Sequence, residues 1–187
     1  IGFTVSAQIA TSGTTNSGTN ASAIGYQTSA TNTVSTAMGR ETLASGVTST
    51  AMGYQTSATN TASTAIGNNS TASGITSTAI GNNSTASGET SIAMGFETEA
   101  NNSASIAMGY QTSSTEGAST AMGFKTTASG FGSTSIGYET TASGNSSAAM
   151  GWLTTANGKA SIALGKSTIA SDFGSLVIGQ YNLSGST

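Results

Sequence analysis

Residues 49–53 read Ser-Thr-Ala-Met-Gly, and this five-residue motif returns every fourteen residues along the chain. Its glycine, called the anchor glycine below, occurs twelve times without an insertion or deletion, as Gly25, Gly39, Gly53, Gly67, Gly81, Gly95, Gly109, Gly123, Gly137, Gly151, Gly165 and Gly179. An aliphatic residue precedes every anchor glycine, and alanine precedes that residue in ten of the twelve copies. So strict a period is typical of a stacked repeat, in which each unit buries its core against its neighbours.

Positions are counted from the anchor glycine, so the aliphatic residue before the next one is position 13. Fourteen residues are too few for a helical hairpin, and nothing recurs at a helical spacing. The unit suits two short strands and two tight turns, with the motif as one strand and Thr at position 3 and Ala at position 5 in the other. Stacked strands ~4.8 Å apart would give a rod of roughly 55–60 Å. The predicted fold is an all-β parallel β-solenoid of about twelve 14-residue coils.

Two recurring positions predict the turns. Position 7 holds a residue that tolerates positive φ in most coils, such as Asn32, Gly46 and Gly74. Glycine or asparagine at a fixed spacing predicts a turn there. The anchor glycines are expected to mark the other turn, or a place where two backbones approach closely.

The repeat register divides the chain into three parts. Residues 21–179 hold the register throughout and form the predicted β-roll. Residues 1–20 fit it poorly, with a strand-like alternation beginning at Phe3 and Val5, and we expect an irregular cap or first coil. Residues 180–187 are expected to be a C-terminal tail. The chain has neither a signal peptide nor an apolar run long enough to span a bilayer, and we expect it to be a piece of a longer protein.

The composition argues against catalysis, against metal sites, and against nucleic acid or a membrane as a partner. Only 6% of the residues are charged and the formal net charge is −3, so neither nucleic acid nor a membrane is an expected partner. The chain has no cysteine and no histidine, which removes disulfides, thiolate sites and the usual general base. Glu97 and Glu99 form the only close carboxylate pair, where a solvated turn is expected. We therefore expect no enzyme activity, no cofactor and no metal site.

The placement of charge predicts self-association. All charged residues lie at positions 1, 2, 4, 7 or 8, so both the Ile/Met face and the Ser/Ala face of the motif strand are uncharged. Such a strand is typical of burial on both sides, one face inside the coil and the other against further chains around a common axis. A charge at Ala107, assigned to that axis, is expected to prevent folding or assembly. The candidate oligomer or coil core residues are Met38, Met52, Ile66, Ile80, Met94, Met108, Met122, Ile136, Met150 and Leu164.

Two rows of side chains leave alternatives open. Position 1 is aromatic in five consecutive coils, which gives the candidate surface-binding residues Phe96, Tyr110, Phe124, Tyr138 and Trp152. These rings could cover a turn and stack on one another, or they could form an exposed stripe for a glycan or a protein. The hydroxyl row at position 3, Thr28 through Thr168, could be an ordinary strand ladder or a flat ice-binding face.

The pattern Ser-x-Ala-Ile/Met-Gly-x-x-Ser/Thr-x-Ala-x-Gly/Asn over residues 21–179 resembles the head repeat of trimeric autotransporter adhesins, the YadA-like left-handed parallel β-roll. The resemblance implies a homotrimer in an extracellular fibre on a bacterial outer surface. It also implies a role in virulence through attachment to host matrix proteins, glycans or other surfaces, without membrane contact by this segment. Two other functions are compatible with such repeats. The chain could be a rigid unit of a phage tail fibre or extracellular filament, or, as a third alternative, an ice-binding solenoid.

Overall fold

The computed structural model describes residues 12–184, which form two parallel sheets on either side of a thin core. The prediction of an irregular cap over residues 1–20 falls partly outside these residues. Within its described part, Thr15–Asn16 already pairs in parallel with Ser29–Ala30. At the other end, Leu183–Ser184 pairs with Ile169–Ala170, so the coil pattern continues into the predicted tail.

Each coil contributes one five-residue strand and one two-residue strand. The twelve long strands are β2 (Ser22–Tyr26), β4 (Thr36–Arg40), β6 (Thr50–Tyr54), β8 (Thr64–Asn68), β10 (Thr78–Asn82), β12 (Ile92–Phe96), β14 (Ile106–Tyr110), β16 (Thr120–Phe124), β18 (Thr134–Tyr138), β20 (Ala148–Trp152), β22 (Ile162–Lys166) and β24 (Leu176–Gln180). The thirteen short strands are β1 (Thr15–Asn16), β3 (Ser29–Ala30), β5 (Leu43–Ala44), β7 (Ser57–Ala58), β9 (Thr71–Ala72), β11 (Thr85–Ala86), β13 (Glu99–Ala100), β15 (Ser113–Ser114), β17 (Thr127–Ala128), β19 (Thr141–Ala142), β21 (Thr155–Ala156), β23 (Ile169–Ala170) and β25 (Leu183–Ser184).

Strand pairing follows the sequence period. Each strand pairs in parallel with its counterpart fourteen residues away, so Ala79 faces Ala93 and Gly81 faces Gly95. Equivalent residues therefore form straight columns along the rod. The prediction of an all-β parallel solenoid with about twelve coils is confirmed.

The core is made of small side chains. Position 12 alanines such as Ala79 and position 5 alanines such as Ala86 are fully buried, and so are the serines at position 10 and the hydroxyl residues at position 3. Among the described residues, no side chain larger than threonine is fully buried. A coil this thin excludes larger side chains, which is why a sequence rich in Ala, Ser and Thr can fold.

The aliphatic residues at position 13 lie on the outward face of the long strands, because side chains alternate along a strand and position 12 points inward. Met122 is 36% exposed, Ile136 37% and Met150 37%, and the others from Met38 to Leu164 are half-buried. Assigning these residues to the coil core is therefore wrong for the single chain. Ala107 lies inside the coil at 0% exposure, so its assignment to an oligomer axis is wrong as well.

The turn predicted at position 7 is present, but its left-handed residue lies at position 9, and a second left-handed residue lies at position 2. Glu41 and Thr48, with φ of 56° each, are examples of the two sets. The N–H group of Glu41 donates to the carbonyl of Tyr26 at 2.8 Å, and that of Thr48 donates to Thr33 at 2.9 Å. Both bonds point to the preceding coil, whereas strand N–H groups donate to the following one. These corner bonds offset the ~1–2 kcal/mol that a non-glycine residue loses in this conformation.

Close approach explains the glycines at both recurring positions. At position 7, a Cβ atom on Gly46 would lie closer than 3.0 Å to the carbonyl oxygen of Asn60 in the next coil. Among the anchor glycines, Gly95 has φ of 136°, and a Cβ atom there would lie closer than 3.0 Å to the carbonyl oxygen of Gly109. The anchor glycine thus meets two constraints at once, since its φ is unfavourable for other residues and its Cβ position is occupied.

Candidate binding surface

Most of the charged and aromatic side chains on the rod surface lie at five positions of each coil. Positions 1, 2, 4, 7 and 8 hold all the charged side chains and most aromatic ones, and the inward positions 3, 5, 10 and 12 hold almost only Ala, Ser and Thr. Because the strands pair in register, each outward position forms a column along the rod. A ligand that approaches from the side meets these columns.

The candidate surface-binding residues form one continuous stack of rings. Centroid separations are 4.9 Å for Phe96–Tyr110, Tyr110–Phe124 and Phe124–Tyr138, and 4.2 Å for Tyr138–Trp152. The ring planes deviate from parallel by 6° to 13°. The strand spacing of a parallel sheet sets this separation, since each ring projects from the same position of its coil.

Stacking and exposure coexist in this column, so the two sequence-based alternatives for the rings are compatible. Tyr110 keeps 40% of its surface exposed and Trp152 keeps 47%. The inner rings, such as that of Phe124, have a neighbour on each face and therefore offer their edges to solvent. Only the rings at the two ends of the stack, Phe96 and Trp152, have a face that no aromatic ring covers. The column is therefore an apolar ridge formed mainly by ring edges.

A second aromatic cluster surrounds Arg40. Its guanidinium carbon lies 5.6 Å from the ring centroid of Tyr26 and 5.4 Å from that of Tyr54, which is cation–π distance on both sides. The neighbouring carboxylate of Glu41 accepts hydrogen bonds from Gln55 Nε2 at 2.8 Å and from Arg40 Nε at 3.0 Å. The bond from Gln55, followed by that from Arg40, lowers the pKa of Glu41 below its usual value of 4.5. Within this cluster, the charges of Arg40 and Glu41 pair with each other at 3.0 Å.

The position 2 column contains a comparable arrangement at Lys125. Its ammonium nitrogen lies 5.3 Å from the ring centroid of Phe124 and 4.0 Å from a carboxylate oxygen of Glu139 in the next coil. The fourteen-residue spacing therefore brings opposite charges together along the outer surface. Left-handed residues in successive coils carry these side chains in one direction, which is why they meet.

A cleft of about 460 Å³ lies three coils away in the same column. Asn83, Glu97, Glu99, Gln111, Thr112 and Ser113 line it. Glu97 accepts a hydrogen bond of 2.6 Å from Gln111 Nε2, and Asn101 Nδ2 reaches Glu99 at 3.5 Å. Sequence reasoning identified the two carboxylates but treated them as a solvated turn. It missed the cleft, which depends on side chains from three consecutive coils.

The outward face of the long-strand sheet forms a second kind of surface, called the aliphatic face below. Its columns are position 13, which is Ile, Met or Leu throughout, and position 11, which is Thr in six of the twelve coils and otherwise Ser22, Ile92, Ile106, Ala148, Ile162 or Leu176. No charged side chain lies in either column. Leu176 is 60% exposed and Ile178 is 58% exposed. Twelve coils of such residues exceed the scattered apolar exposure of an ordinary surface.

The hydroxyl row from Thr28 to Thr168 points into the coil. Thr28 is 1% exposed and Thr168 0%, so this row cannot meet an ice surface, and the ladder interpretation holds. Most of these hydroxyls, including that of Thr112, have no hydrogen-bond partner within the described residues.

Across residues 12–184, no three Asp or Glu side chains are grouped as a metal would require. No helix in that range is long and apolar enough to cross a membrane.

A family model described as the YadA head domain repeat, with two copies per model, matches residues 17–42, 44–70, 72–98, 128–154 and 155–182. These segments make up well over half of the 187 residues, and each contains two anchor glycines. The two coils between them, around Gly109 and Gly123, have the same strands and register. No curated protein matches the chain. The resemblance drawn from the fourteen-residue motif is thereby confirmed.

Proposed function

The chain belongs to the family of YadA head domain repeats, and on that premise we propose that it is the adhesive head of a surface fibre, in which three copies associate side by side. The family makes the chain a structural module of the trimeric autotransporter adhesin type. The proposal adds the trimer, the location on a bacterial cell surface and attachment to host matrix proteins or glycans.

The aliphatic face is the observation that carries the proposal. It extends over twelve strands, holds no charge, and leaves residues such as Met122 and Ile136 more than a third exposed in the single chain. Burying apolar surface stabilises association by about 25 cal/mol per Å². Closed symmetry around a common axis covers this face in every copy and leaves none unpaired. Three copies are the number that the family supports.

In this arrangement the ligand is bound by the aromatic and charged columns on the lateral surface of the rod. The aromatic stack spans five coils and the charged columns run beside it, so one rod repeats similar contacts several times. Three chains multiply those contacts again. Weak single contacts suffice under these conditions, because linked binding events raise the overall affinity.

A rigid spacer in a phage fibre or filament is the competing function. The uniform ladder of backbone hydrogen bonds supports it, since a stiff rod needs no ligand. The two functions differ in whether the lateral columns bind anything. The ice-binding alternative loses its support with the burial of the position 3 row.

The first experiment is light scattering at micromolar concentration. The proposal expects a particle with three times the chain's mass of 18.1 kDa. A fully folded particle of 18.1 kDa would contradict the trimer.

The second experiment compares binding of two variants to immobilised matrix proteins and a glycan array. One variant replaces Tyr110, Phe124 and Tyr138 with Asn, the residue found at that position in other coils. The other replaces Asn68, Asn69, Asn82 and Asn83 with Ser. We expect the first to lose binding and the second to keep it. The reverse result would mean that the rings only pack, and a parent protein that binds no surface would favour the spacer.

A further inference from the structure

Asn157 and Gly158 form the only Asn-Gly pair in the sequence. Glycine leaves its backbone nitrogen unhindered, because it has no Cβ atom. That nitrogen can attack the side-chain carbonyl carbon of the asparagine, after which ammonia leaves. We infer that Asn157 is a self-modification site, at which the contacts of the folded coil promote loss of the side-chain amide. The reaction needs neither a ligand nor a second chain, so it is independent of the proposed adhesive function.

The reaction has an imide intermediate. The nitrogen of Gly158 loses its proton and bonds to Cγ of Asn157, the bond from Cγ to Nδ2 breaks, and the amide leaves with a proton as ammonia. Water then adds to one of the two imide carbonyl carbons, and ring opening gives aspartate or isoaspartate with a free carboxyl group. Water is the only co-reactant. Each conversion lowers the formal net charge of −3 by one, because a carboxylate replaces a neutral amide.

A neighbouring hydroxyl activates the carbonyl group that is attacked. Ser143 Oγ in the preceding coil donates a hydrogen bond of 2.8 Å to Oδ1 of Asn157. Negative charge develops on Oδ1 during the attack, and a positioned donor stabilises such an oxyanion. The fourteen-residue register supplies this donor, since both residues occupy position 6 of their coils. Asn157 is exposed, so ammonia can leave and water can enter.

The attacking nitrogen is weakly held. The N–H group of Gly158 donates to the carbonyl oxygen of Ala170 at 3.2 Å. The same oxygen accepts a bond of 2.9 Å from the N–H group of Asn157 and one of 3.1 Å from Ser161 Oγ. A carbonyl oxygen has two lone pairs, so three donors compete, and the longest bond is the weakest. The equivalent hydroxyl of Ser77 donates instead to the position 7 glycine of its own coil. Competition from Ser161 therefore helps to release the Gly158 nitrogen.

Asn101 is a matched asparagine in the same column. It is exposed at position 6, and Ser87 Oγ of the preceding coil lies 3.2 Å from its Oδ1. Asn102 follows it in place of glycine, and the N–H group of Asn102 donates to Ser105 Oγ at 3.2 Å. The two asparagines thus share the position and the serine donor but differ at the attacking nitrogen.

The two products differ in their effect on the coil. Aspartate keeps the length of the main chain, and its carboxylate can accept the hydrogen bond from Ser143. Isoaspartate adds one carbon atom to the main chain beside Gly158, where a Cβ atom would already lie closer than 3.0 Å to the carbonyl oxygen of Asp172. We therefore expect a larger share of aspartate in the folded chain than in a chain unfolded in urea.

The test follows conversion by tandem mass spectrometry in the folded full chain, kept at mildly alkaline pH, where more of the amide nitrogen is deprotonated. Trypsin cleaves after Lys125 and Lys159, which places Asn157 and Asn101 in different peptides. We expect Asn157 to be converted well before Asn101.

Three variants separate the contacts from the Asn-Gly pair itself. Ser143→Ala and Ser161→Ala should each slow conversion of Asn157 by about two- to tenfold, because each changes the strength of one hydrogen bond. Ser77→Ala is the matched control, since it removes the hydroxyl of a buried serine far from the site, and it should leave the rate unchanged.

Equal rates at Asn157 and Asn101, or conversion of Asn157 only in the chain unfolded in urea, would overturn the inference. Parental rates in folded Ser143→Ala and Ser161→Ala would overturn it as well, because conversion would then follow from the Asn-Gly pair alone. Ser143 is exposed, so its variant decides the question even if replacement of the buried Ser161 prevents folding.

Discussion

The side-chain hydroxyls of Ser135 and Thr140 lie 2.8 Å apart inside the coil and form a hydrogen bond. Ser135 occupies position 12, where most coils have alanine, and Thr140 occupies position 3. In most coils with alanine at position 12, such as that of Ala107 and Thr112, the threonine hydroxyl is left without a partner. A buried hydroxyl without a partner destabilises the folded state.

Replacing Ala107 with Ser should therefore be tolerated. The new hydroxyl lies five residues before Thr112, as Ser135 does before Thr140, and would give Thr112 its missing partner. A net hydrogen bond contributes about 0.5–1.5 kcal/mol, so we expect the free energy of unfolding to stay within about 1 kcal/mol of the parent. Urea denaturation measures it. In a Thr112→Val background the same substitution should destabilise, and equal effects in the two backgrounds would contradict the pairing.

A glutamate at Ala107 should prevent folding rather than assembly. The site is 0% exposed and surrounded by the small side chains of neighbouring coils, so an unpaired carboxylate there would cost several kcal/mol. Circular dichroism should show loss of the β spectrum. A folded monomer would place Ala107 at an interface after all.

A glutamate at Met108 tests the interface in a position where the single chain can accommodate it. Met108 is half-buried on the aliphatic face, so the charge would remain solvated in an isolated chain but not between chains. We expect a folded particle of 18.1 kDa by light scattering. Thr141→Glu is the matched control, because it adds the same charge at position 4, where Glu99 occurs naturally. A variant of Met108 with the parent's mass would exclude the aliphatic face as the interface.

The anchor glycines should not accept even a methyl group. In Gly95→Ala the new Cβ atom would meet the carbonyl oxygen of Gly109, which is backbone and cannot move aside, in a conformation with φ of 136°. Strain of this kind costs about 1–3 kcal/mol before the collision is counted, so we expect a loss of at least about 3 kcal/mol in denaturation. Gly132→Ala should lose about 1 kcal/mol or less, since its nearest contact would be Ser146 Oγ at 3.9 Å and other coils have alanine there. Equal losses would refute the steric argument.

The aromatic stack should contribute to stability in proportion to the neighbours of each ring. Phe124 stacks on both Tyr110 and Tyr138, whereas Phe96 stacks on Tyr110 alone. Each stacked pair adds about 0.5–1.5 kcal/mol, so Phe124→Ala should destabilise by about 1 kcal/mol more than Phe96→Ala. Thermal denaturation at equal protein concentration compares the two. If the two variants have the same melting temperature, the rings contribute as separate side chains and not as a stack.

The pKa of Glu41 should depend on Gln55. Because hydrogen bonds lower this pKa in the folded chain, the stabilisation they give is present above the usual value of 4.5 and is lost as pH falls through the lowered pKa. Gln55→Ala removes the largest cause, so the titration midpoint of the Glu41 carboxyl carbon in NMR should rise. Gln27→Ala, one coil to the other side, is the control and should not move it. An unchanged midpoint in Gln55→Ala would disprove the link.

The fourteen-residue period by itself determined the fold class. A unit of fourteen residues is too short for a helical hairpin, and identical units repeated without insertion can satisfy their backbone when each coil is hydrogen-bonded to the next. The same period brought side chains such as Tyr110 and Phe124 into one column, so a row of rings could be predicted as well. The sequence also identified the family, since small, aliphatic and glycine residues recur together.

Only the tertiary structure decided which face of each strand points inward. Alternation in Thr-Ala-Met-Gly allows either Ala or Met to enter the core, and sequence reasoning placed Met38 to Leu164 there or at an interface. Among the described residues, no side chain larger than threonine is fully buried, so the alanines are inside and the aliphatic residues outside. The left-handed corners and the Glu97–Glu99 cleft were likewise undetermined, because both depend on contacts between coils that a pattern within one repeat does not contain.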